Sequence, residues 1–186
     1  MRFPACPFWD FSVAVYGRDG VAPACLSLQD RYGLDVNLLL YCCWAGGRGV
    51  RLGAAELAAL VAASRGWQTD IVRRLRSVRR LLKTQGHAAP PEQAEALRQR
   101  VAAVELDAEH VEQLLLAERL DLPEGRDGAG TAETAARNLA LYARAAGIFW
   151  RERDAADLAA LLAGAFPNTL PAEARRLAES IRAGSL

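Results

Sequence analysis

The chain has 186 residues, 52% of them hydrophobic and 24% charged, with a formal net charge of +1. Such a length and composition are typical of one globular domain and exclude a largely disordered chain. The near-neutral net charge argues against a protein built to bind nucleic acid. Residues 1–87 carry twelve basic and six acidic residues, whereas residues 88–186 carry eleven and sixteen. Because opposite charges attract, this division predicts pairing between the two halves.

No segment reaches the roughly 18 to 20 apolar residues that are needed to cross a bilayer. The N-terminal sequence, MRFPACPFWDF, lacks the long apolar centre of a secretory signal peptide. The four cysteines, Cys6, Cys25, Cys42 and Cys43, include no C-x-x-C pair, and a reducing compartment would keep them as thiols. We therefore expect a cytoplasmic protein with no membrane association.

Helix-forming residues dominate, and the period-2 alternation of strands is absent. We therefore predict an all-α fold: a single-domain helical bundle with an antiparallel helical hairpin. One domain is expected over residues 1–186, with a core at 1–85 and a hairpin arm and tail at 86–186. The predicted helices cover residues 8–16, 22–32, 35–45, 54–65, 69–84, 91–121, 132–147, 154–165 and 172–183.

The third predicted helix is the candidate for the centre of the bundle. Gly33 suits the left-handed residue that ends the preceding helix, and Asp35 suits an N-cap because its carboxylate accepts hydrogen bonds from free amides. Residues 36–44 are apolar on nearly every side. A helix of that kind must be covered on several sides, so we expect Leu39 and Leu40 in a packed core.

Two amphipathic segments predict the hairpin. Residues 69–84 carry an apolar stripe spaced 4, 3 and 4 residues apart, and residues 91–121 carry one spaced 4 and 3, which is the heptad pattern of coiled-coil packing. The first segment is otherwise basic and the second is acidic. We expect them to pack antiparallel after a break at residues 85–91. The apolar residues expected to face one another are Leu75, Val78, Val101 and Val104. The arginines should lie in solvent or beside Glu105, Glu109 or Glu112.

Two motifs near the N-terminus carry a family resemblance. They are FWDFS at residues 8–12 and LQDRYGLDVNLLLYC at residues 28–42, with a weaker part, WQTDIVRRLRSVRRLLK, at residues 67–83. In these motifs the chain resembles a family of small proteobacterial proteins that is a domain of unknown function, over residues 1–85. The resemblance implies no activity, so no catalytic residue is assigned from it.

Polar residues flank the apolar centre and could form a ligand site. The candidates are Trp9, Asp10, Asp30, Arg31, Asp35 and Asn37. Convergent carboxylates, an arginine and an amide against apolar walls could bind a small molecule. Helix caps and a buried polar network at the Gly33 corner are the commoner use of such residues, because buried polar groups need partners. Both interpretations stay open at this point.

The basic face of residues 69–84 is the candidate interaction surface. Its candidate residues are Arg73, Arg76, Arg80 and Lys83. Arginines can bind phosphates or acidic lipid, but no aromatic residue lies among them and the next segment is acidic. We therefore expect this face to be solvated or paired internally, and nucleic acid is not expected as a partner.

No motif indicates catalysis or a cofactor. The glycine-rich loop at residues 46–53 lacks G-K-[ST] and predicts a connector. His87 and His110 have no cysteine partner at a metal-binding spacing. G-x-S-x-G and H-E-x-x-H sequences are absent. We expect neither a metal nor a cofactor.

Three functions are compatible with the sequence. The leading hypothesis is a non-catalytic cytoplasmic interaction or adaptor protein that docks a protein partner through the charged hairpin. The first alternative is a small-molecule-binding helical protein, which could also be an enzyme, with a site near Trp9, Asp30, Arg31, Asp35 and Asn37. The second is a weak nucleic-acid binder that uses residues 69–84. A cavity at the candidate site would favour ligand binding, and a filled core with an apolar patch on the hairpin would favour the adaptor.

Overall fold

The structure is a computed structural model that describes residues 3–84, 89–119 and 131–186. Within those ranges it has nine α-helices, one π-helical turn and no strand, so the predicted all-α fold is confirmed. The helices are α1 (Pro7–Tyr16), α2 (Val21–Tyr32), α3 (Val36–Gly47), α4 (Ala54–Trp67), α5 (Arg73–Lys83), α6 (Pro91–Ala117), α7 (Ala132–Ala145), α8 (Asp154–Ala165) and α9 (Pro171–Ala183), and the π-helical turn (Gln68–Val72) lies between α4 and α5. Residues 85–88 of the predicted break, which include His87, and the helix end predicted at residue 121 lie outside the described residues.

The helix α3 lies at the centre of the bundle, as predicted. Leu39 and Leu40 are buried, and the rings of Phe8, Tyr41 and Trp44 pack together at its inner face. The helix α7 crosses α3 closely at the end of α3. A Cβ atom added to Gly46 would lie only 2.5 Å from the backbone of Ala135. Only glycine permits this approach.

The corner before α3 has the predicted caps. Gly33 is left-handed, with φ +66°, and it ends α2. Asp35 is the N-cap of α3, and its carboxylate accepts a 2.9 Å hydrogen bond from the backbone N–H of Asn37. These two residues fix the direction in which α3 enters the core.

The interruption predicted at residues 66–68 is wrong. The helix α4 continues through the π-helical turn into α5 without a break. Trp67 donates from its indole nitrogen to the carbonyl of Ala108 on α6, 2.9 Å away, and Val72 is buried. A π-helical turn holds more residues than an α-helical turn, so it rotates α5 relative to α4 and presents a different face of α5 to α6.

The helices α5 and α6 form the predicted antiparallel hairpin. Arg76 forms ion pairs with Glu105 at 3.0 Å and Glu109 at 2.7 Å, and Arg79 pairs with Glu105. The later residue of α5, Arg79, therefore pairs only with the earlier of the two glutamates on α6, as expected for antiparallel helices. The prediction that arginines would lie beside these glutamates is confirmed.

The apolar seam of the hairpin is only partly closed. Leu75 and Val101 are half-buried, whereas Val78 and Val104 are exposed. Two helices shield each other along one line, so residues at the edge of a heptad stripe stay in solvent. No helix in the described part of the chain is long and apolar enough to span a membrane.

Candidate functional site

A cleft with a volume of about 380 Å³ opens between α1, α2, α3 and the hairpin. Its wall is mostly apolar, and the exposed side chains of Val13, Leu26 and Leu106 form its rim. The residues that line it are Trp9, Ser12, Val13, Tyr16, Gly17, Leu26, Gln29, Val36, Asn37, Leu40, Arg76, Leu106, Glu109 and Gln113. A concave apolar surface with a few polar groups is the usual form of a small-molecule site.

Three buried polar side chains on this wall have an atom without a hydrogen-bond partner among the described residues. The atoms are Ser12 Oγ, Gln29 Oε1 and Gln113 Oε1, on residues that are 3%, 8% and 2% exposed. Buried polar atoms almost always find a partner, and each one that does not costs about 1–3 kcal/mol. The wall of the cleft therefore contains enclosed hydrogen-bonding capacity that the protein itself does not use.

A chain of side-chain hydrogen bonds fixes the orientation of Gln113. Asn37 Nδ2 donates to Glu112 Oε2 at 2.8 Å, and Gln113 Nε2 donates to Asn37 Oδ1 at 2.7 Å. Because the amide nitrogen of Gln113 is used in this way, its oxygen is the atom that remains free. The network thus presents an acceptor, not a donor, at this point of the cleft.

Asp35 and Glu112 form a buried carboxyl pair behind Asn37. Burial, followed by the charge of nearby Asp35, raises the pKa of Glu112 to about 10, and neither Asp35 Oδ2 nor Glu112 Oε1 has a hydrogen-bond partner among the described residues. The backbone N–H of Asp35 also donates to the hydroxyl of Tyr142, 3.1 Å away. At neutral pH Glu112 is therefore protonated and uncharged.

The helix α5 contributes the one cationic side chain on the cleft wall, among the lining residues given above. Arg76 is mostly buried and lies between Glu105 and Glu109. Burial raises the pKa of Glu109, although Arg76 opposes this shift. Hydrogen bonds from Arg79 and Arg76 outweigh the effect of burial on Glu105 and lower its pKa. The positive charge of Arg76 is thus balanced within the hairpin.

An aromatic stack holds Trp9 in the cleft wall. Its ring lies parallel to that of His110, with centroids 4.1 Å apart, and Phe3 contacts His110 from a tilted position at 4.5 Å. Burial lowers the pKa of His110, so the imidazole is neutral at neutral pH. A neutral stack of this kind presents a rigid apolar face at the indole.

A second, more open groove adjoins the cleft, between the end of α2 and α5, with a volume of about 430 Å³. Gln29 and Arg76 line both cavities. In the groove Arg80 pairs with Asp30 at 2.9 Å, and Arg73 donates to the carbonyl of Gly33 at 2.7 Å. The groove is therefore the basic neighbour of the apolar cleft.

The structure divides the six ligand-site candidates. Trp9 and Asn37 line the cleft, and Asp35 lies behind it. Asp30 lines the groove. Asp10 is exposed on α1 and lines neither cavity.

Arg31 lies on another side of α2 and serves as a clamp between helices. It pairs with Asp154 at 2.9 Å and with Asp157, both on α8, and Tyr32 donates to Asp154. These contacts join the end of α2 to the start of α8, which is a structural role.

The four candidate interaction residues also have different surroundings. Arg73, Arg76 and Arg80 line the groove, and only Arg76 also reaches the cleft. Lys83 is exposed on α5 and lines neither cavity. The groove thus contains both Asp30, a ligand-site candidate, and Arg73, Arg76 and Arg80, which are interaction-surface candidates.

Sequence reasoning missed the contribution of α6. Glu109, Glu112 and Gln113 face the cleft or the network behind it, although we predicted their segment only as an acidic hairpin arm that pairs with the basic arm. Glu105, Glu109 and Glu112 follow one another at spacings of 4 and 3 residues, which places them on one side of a helix. That spacing was the available signal for a buried polar stripe.

The described residues offer no group that could hold a metal ion, and three of their cysteines have unreactive thiols. They include no group of three or more histidine, cysteine, aspartate or glutamate residues that could hold a metal ion. Burial raises the pKa of Cys25 to about 12 and raises those of Cys42 and Cys43 as well. Such thiols stay protonated at neutral pH and are poor nucleophiles.

The helices α1 to α6 coincide with a region that is shared with other proteins. No curated protein and no solved structure matches the chain. A family model described as protein of unknown function, DUF2390, matches residues 7–116, which is more than half of the chain. This segment contains every residue that lines the cleft and every residue that lines the groove. The chain therefore belongs to the DUF2390 family of proteins of unknown function.

Proposed function

We propose that the chain is a small-molecule-binding protein whose ligand occupies the cleft. The observation that carries this proposal is the set of three buried, unpartnered polar atoms on one mostly apolar wall. A volume of about 380 Å³ lies in the range of cavities that hold small ligands. The unused acceptor of Gln113 calls for a ligand that donates a hydrogen bond, and the apolar wall calls for an apolar body.

We propose that the protein binds its ligand in the cleft and does not catalyse a reaction there. Among the residues that line the cleft, Ser12 carries the aliphatic hydroxyl that could serve as a nucleophile. Its oxygen has no hydrogen-bonded base among the described residues. A serine without such a base is not activated. Binding needs only the wall and the acceptors, which are present.

A neutral fluorescent probe tests the proposal. N-phenyl-1-naphthylamine is apolar, carries one N–H donor and becomes bright in an apolar site. We expect saturable brightening with the wild-type protein. Leu106→Asp, at the cleft rim, should weaken binding at least tenfold, whereas Leu97→Asp should leave it within twofold. The two leucines are a matched pair, because both lie on α6 and are 53% and 48% exposed, and only Leu106 lines the cleft.

A second variant separates binding from folding. Ser12→Ala removes one unpartnered buried atom, so it should not destabilise the protein and should raise its free energy of unfolding by up to about 1–3 kcal/mol. It should also weaken probe or ligand binding if Ser12 contacts the bound molecule. Probe binding that is absent, or that is equally weakened by Leu106→Asp and Leu97→Asp, would contradict the cleft as the site.

A specific observation also favours the adaptor hypothesis as a second candidate. Val78, Leu97 and Val104 are exposed apolar residues on the hairpin, and such residues in a cluster often mark protein contacts. Under this proposal Leu97→Asp should abolish a complex with a purified partner protein and Leu106→Asp should keep it, the reverse of the probe result. Nucleic-acid binding has less support, because Arg76, Arg79 and Arg80 all have carboxylate partners.

We keep the cytoplasm as the proposed location. All four cysteines lie in the described part of the chain and are free, as a reducing compartment would maintain them. Fractionation of the native cells, followed by detection of the protein, tests this location.

A further inference from the structure

We propose that the ligand is an amphiphilic anion, with its apolar part in the cleft and an anionic head, a phosphate or a carboxylate, in the groove between α2 and α5. This inference deepens the proposed function and rests on it. The juxtaposition of an apolar cleft and a basic groove across one shared wall is the observation behind it.

The two cavities are neighbours that share one wall. Gln29 and Arg76 line both of them, so the wall between cleft and groove is only the thickness of these side chains. Gln29 is 8% exposed and its Oε1 has no partner among the described residues. A ligand that extends over this wall would lie against the Gln29 side chain, which favours a hydroxyl or amide N–H next to the head group.

The groove suits an anion. Its ionisable lining consists of Arg73, Arg76, Arg80 and Asp30, which sum to a positive charge. The charge of Arg76 is balanced by two glutamates, but Arg73 makes its hydrogen bond to a neutral carbonyl, that of Gly33. Arginine is the preferred side chain for phosphate and carboxylate because its planar fork can donate two parallel hydrogen bonds.

The ion pair in the groove is weak enough to be exchanged for a ligand. Arg80 and Asp30 are both more than half exposed, and exposed pairs contribute only about 0 to 1 kcal/mol. An anionic head could therefore take over the guanidinium of Arg80 at little cost. Asp30 would then be a competitor of the ligand, which makes its removal an informative change.

Competition against the bound neutral probe tests this inference. The competitors are decyl phosphate, decanoate, 1-decanol and inorganic phosphate alone, each kept below its critical micelle concentration where it has one. We expect decyl phosphate or decanoate to displace the probe with an inhibition constant at least tenfold lower than that of 1-decanol. Inorganic phosphate alone should not displace it, because the apolar part is needed to reach the cleft. Comparing the two anions identifies the head group.

Charge variants on α5 locate the head. Arg80→Glu should abolish the tenfold advantage of the anions and leave 1-decanol unchanged, whereas Arg74→Glu should keep the advantage. Both changes reverse one exposed arginine on the same helix, but Arg74 does not line the groove. Asp30→Asn should increase the advantage at least twofold, a gain that misfolding could not produce.

The outcomes separate this inference from the proposed function. If the probe and 1-decanol bind but the anions have no advantage, the cleft stands as a binding site and the amphiphilic anion is wrong. If Arg74→Glu and Arg80→Glu reduce the advantage equally, the effect is general surface charge and the groove is not the head site. If neither probe nor 1-decanol binds, the proposed function fails and the inference fails with it.

Discussion

The pH dependence of stability should reveal the proton that Glu112 keeps in the folded protein. Glu112 is fully buried, and burial together with the charge of Asp35 raises its pKa to about 10, from an ordinary value of 4.5. The folded protein therefore holds a proton that the unfolded chain releases at neutral pH. Glu112→Gln keeps the shape of the side chain and places an N–H where the carboxyl proton was. Its amide can donate to Asp35 and still accept from Asn37.

The expected magnitude follows from the direction of the pKa shift. Because the folded-state pKa is raised, the stabilising contribution of Glu112 is fully present below its unfolded pKa and is lost as the pH rises toward the folded value. Each pH unit in that window lowers the free energy of unfolding by about 1.4 kcal/mol for one proton. The glutamine variant has no such proton to lose. The free energy of unfolding of the variant minus that of the wild type should therefore grow by about 2–3 kcal/mol from about pH 5 to about pH 7.

Urea unfolding followed by circular dichroism at several pH values measures this difference. Glu118→Gln is the control, because Glu118 is an exposed glutamate just after α6. Its difference from the wild type should stay within about 0.5 kcal/mol at every pH, as is usual for a surface change. Subtracting the wild type removes the contribution of all other titrating groups. A difference for Glu112→Gln that does not change with pH would refute the raised pKa of Glu112.

Two further pairs of variants test the helix crossing and the hairpin. Gly46→Ala forces a Cβ against the backbone of Ala135 and should lower the free energy of unfolding by about 1–3 kcal/mol. Gly66 is also helical but has open space around it, so Gly66→Ala should raise the free energy of unfolding by about 0.5–1 kcal/mol. Thermal unfolding compares the two variants, and equal effects would contradict the close crossing. Arg76→Glu should cost about 3–5 kcal/mol, because it removes the ion-pair partner of Glu109, leaves Glu105 with Arg79 alone and brings a third carboxylate beside both. Arg80→Glu on the exposed face should cost no more than about 1 kcal/mol. Urea unfolding measures both, and an Arg76→Glu protein as stable as Arg80→Glu would show that the hairpin does not need this pair.

The sequence by itself determined the helices and the way two of them pair. Periodicity, caps and charge are properties of neighbouring residues, so they can be recognised before the chain is folded. Gly33 and Asp35 end one helix and start the next because of their own backbone and side-chain chemistry. The opposite charges of Arg76 and Glu105 likewise act across a short connection, and the resulting ion pair is present.

Only the tertiary structure decided where the candidate site lies. Asp30, Arg31 and Asp35 are close in the sequence, yet they serve the groove, the clamp to α8 and the network behind the cleft. Successive helical residues point about 100° apart, so neighbours in the sequence face different partners. Gln113 meets Asn37 across 76 positions of sequence.

The phase of α6 explains why its polar residues could not be placed in advance. The π-helical turn (Gln68–Val72) shifts the phase of α5 relative to α4, and Glu112 and Gln113 of α6 face Asn37 of α3. A shift of this kind depends on packing against distant helices and leaves no periodic mark in the sequence. The sequence therefore determined that α6 carries a stripe of glutamates, and the tertiary structure decided that Glu112 and Gln113 would be buried beside a cleft.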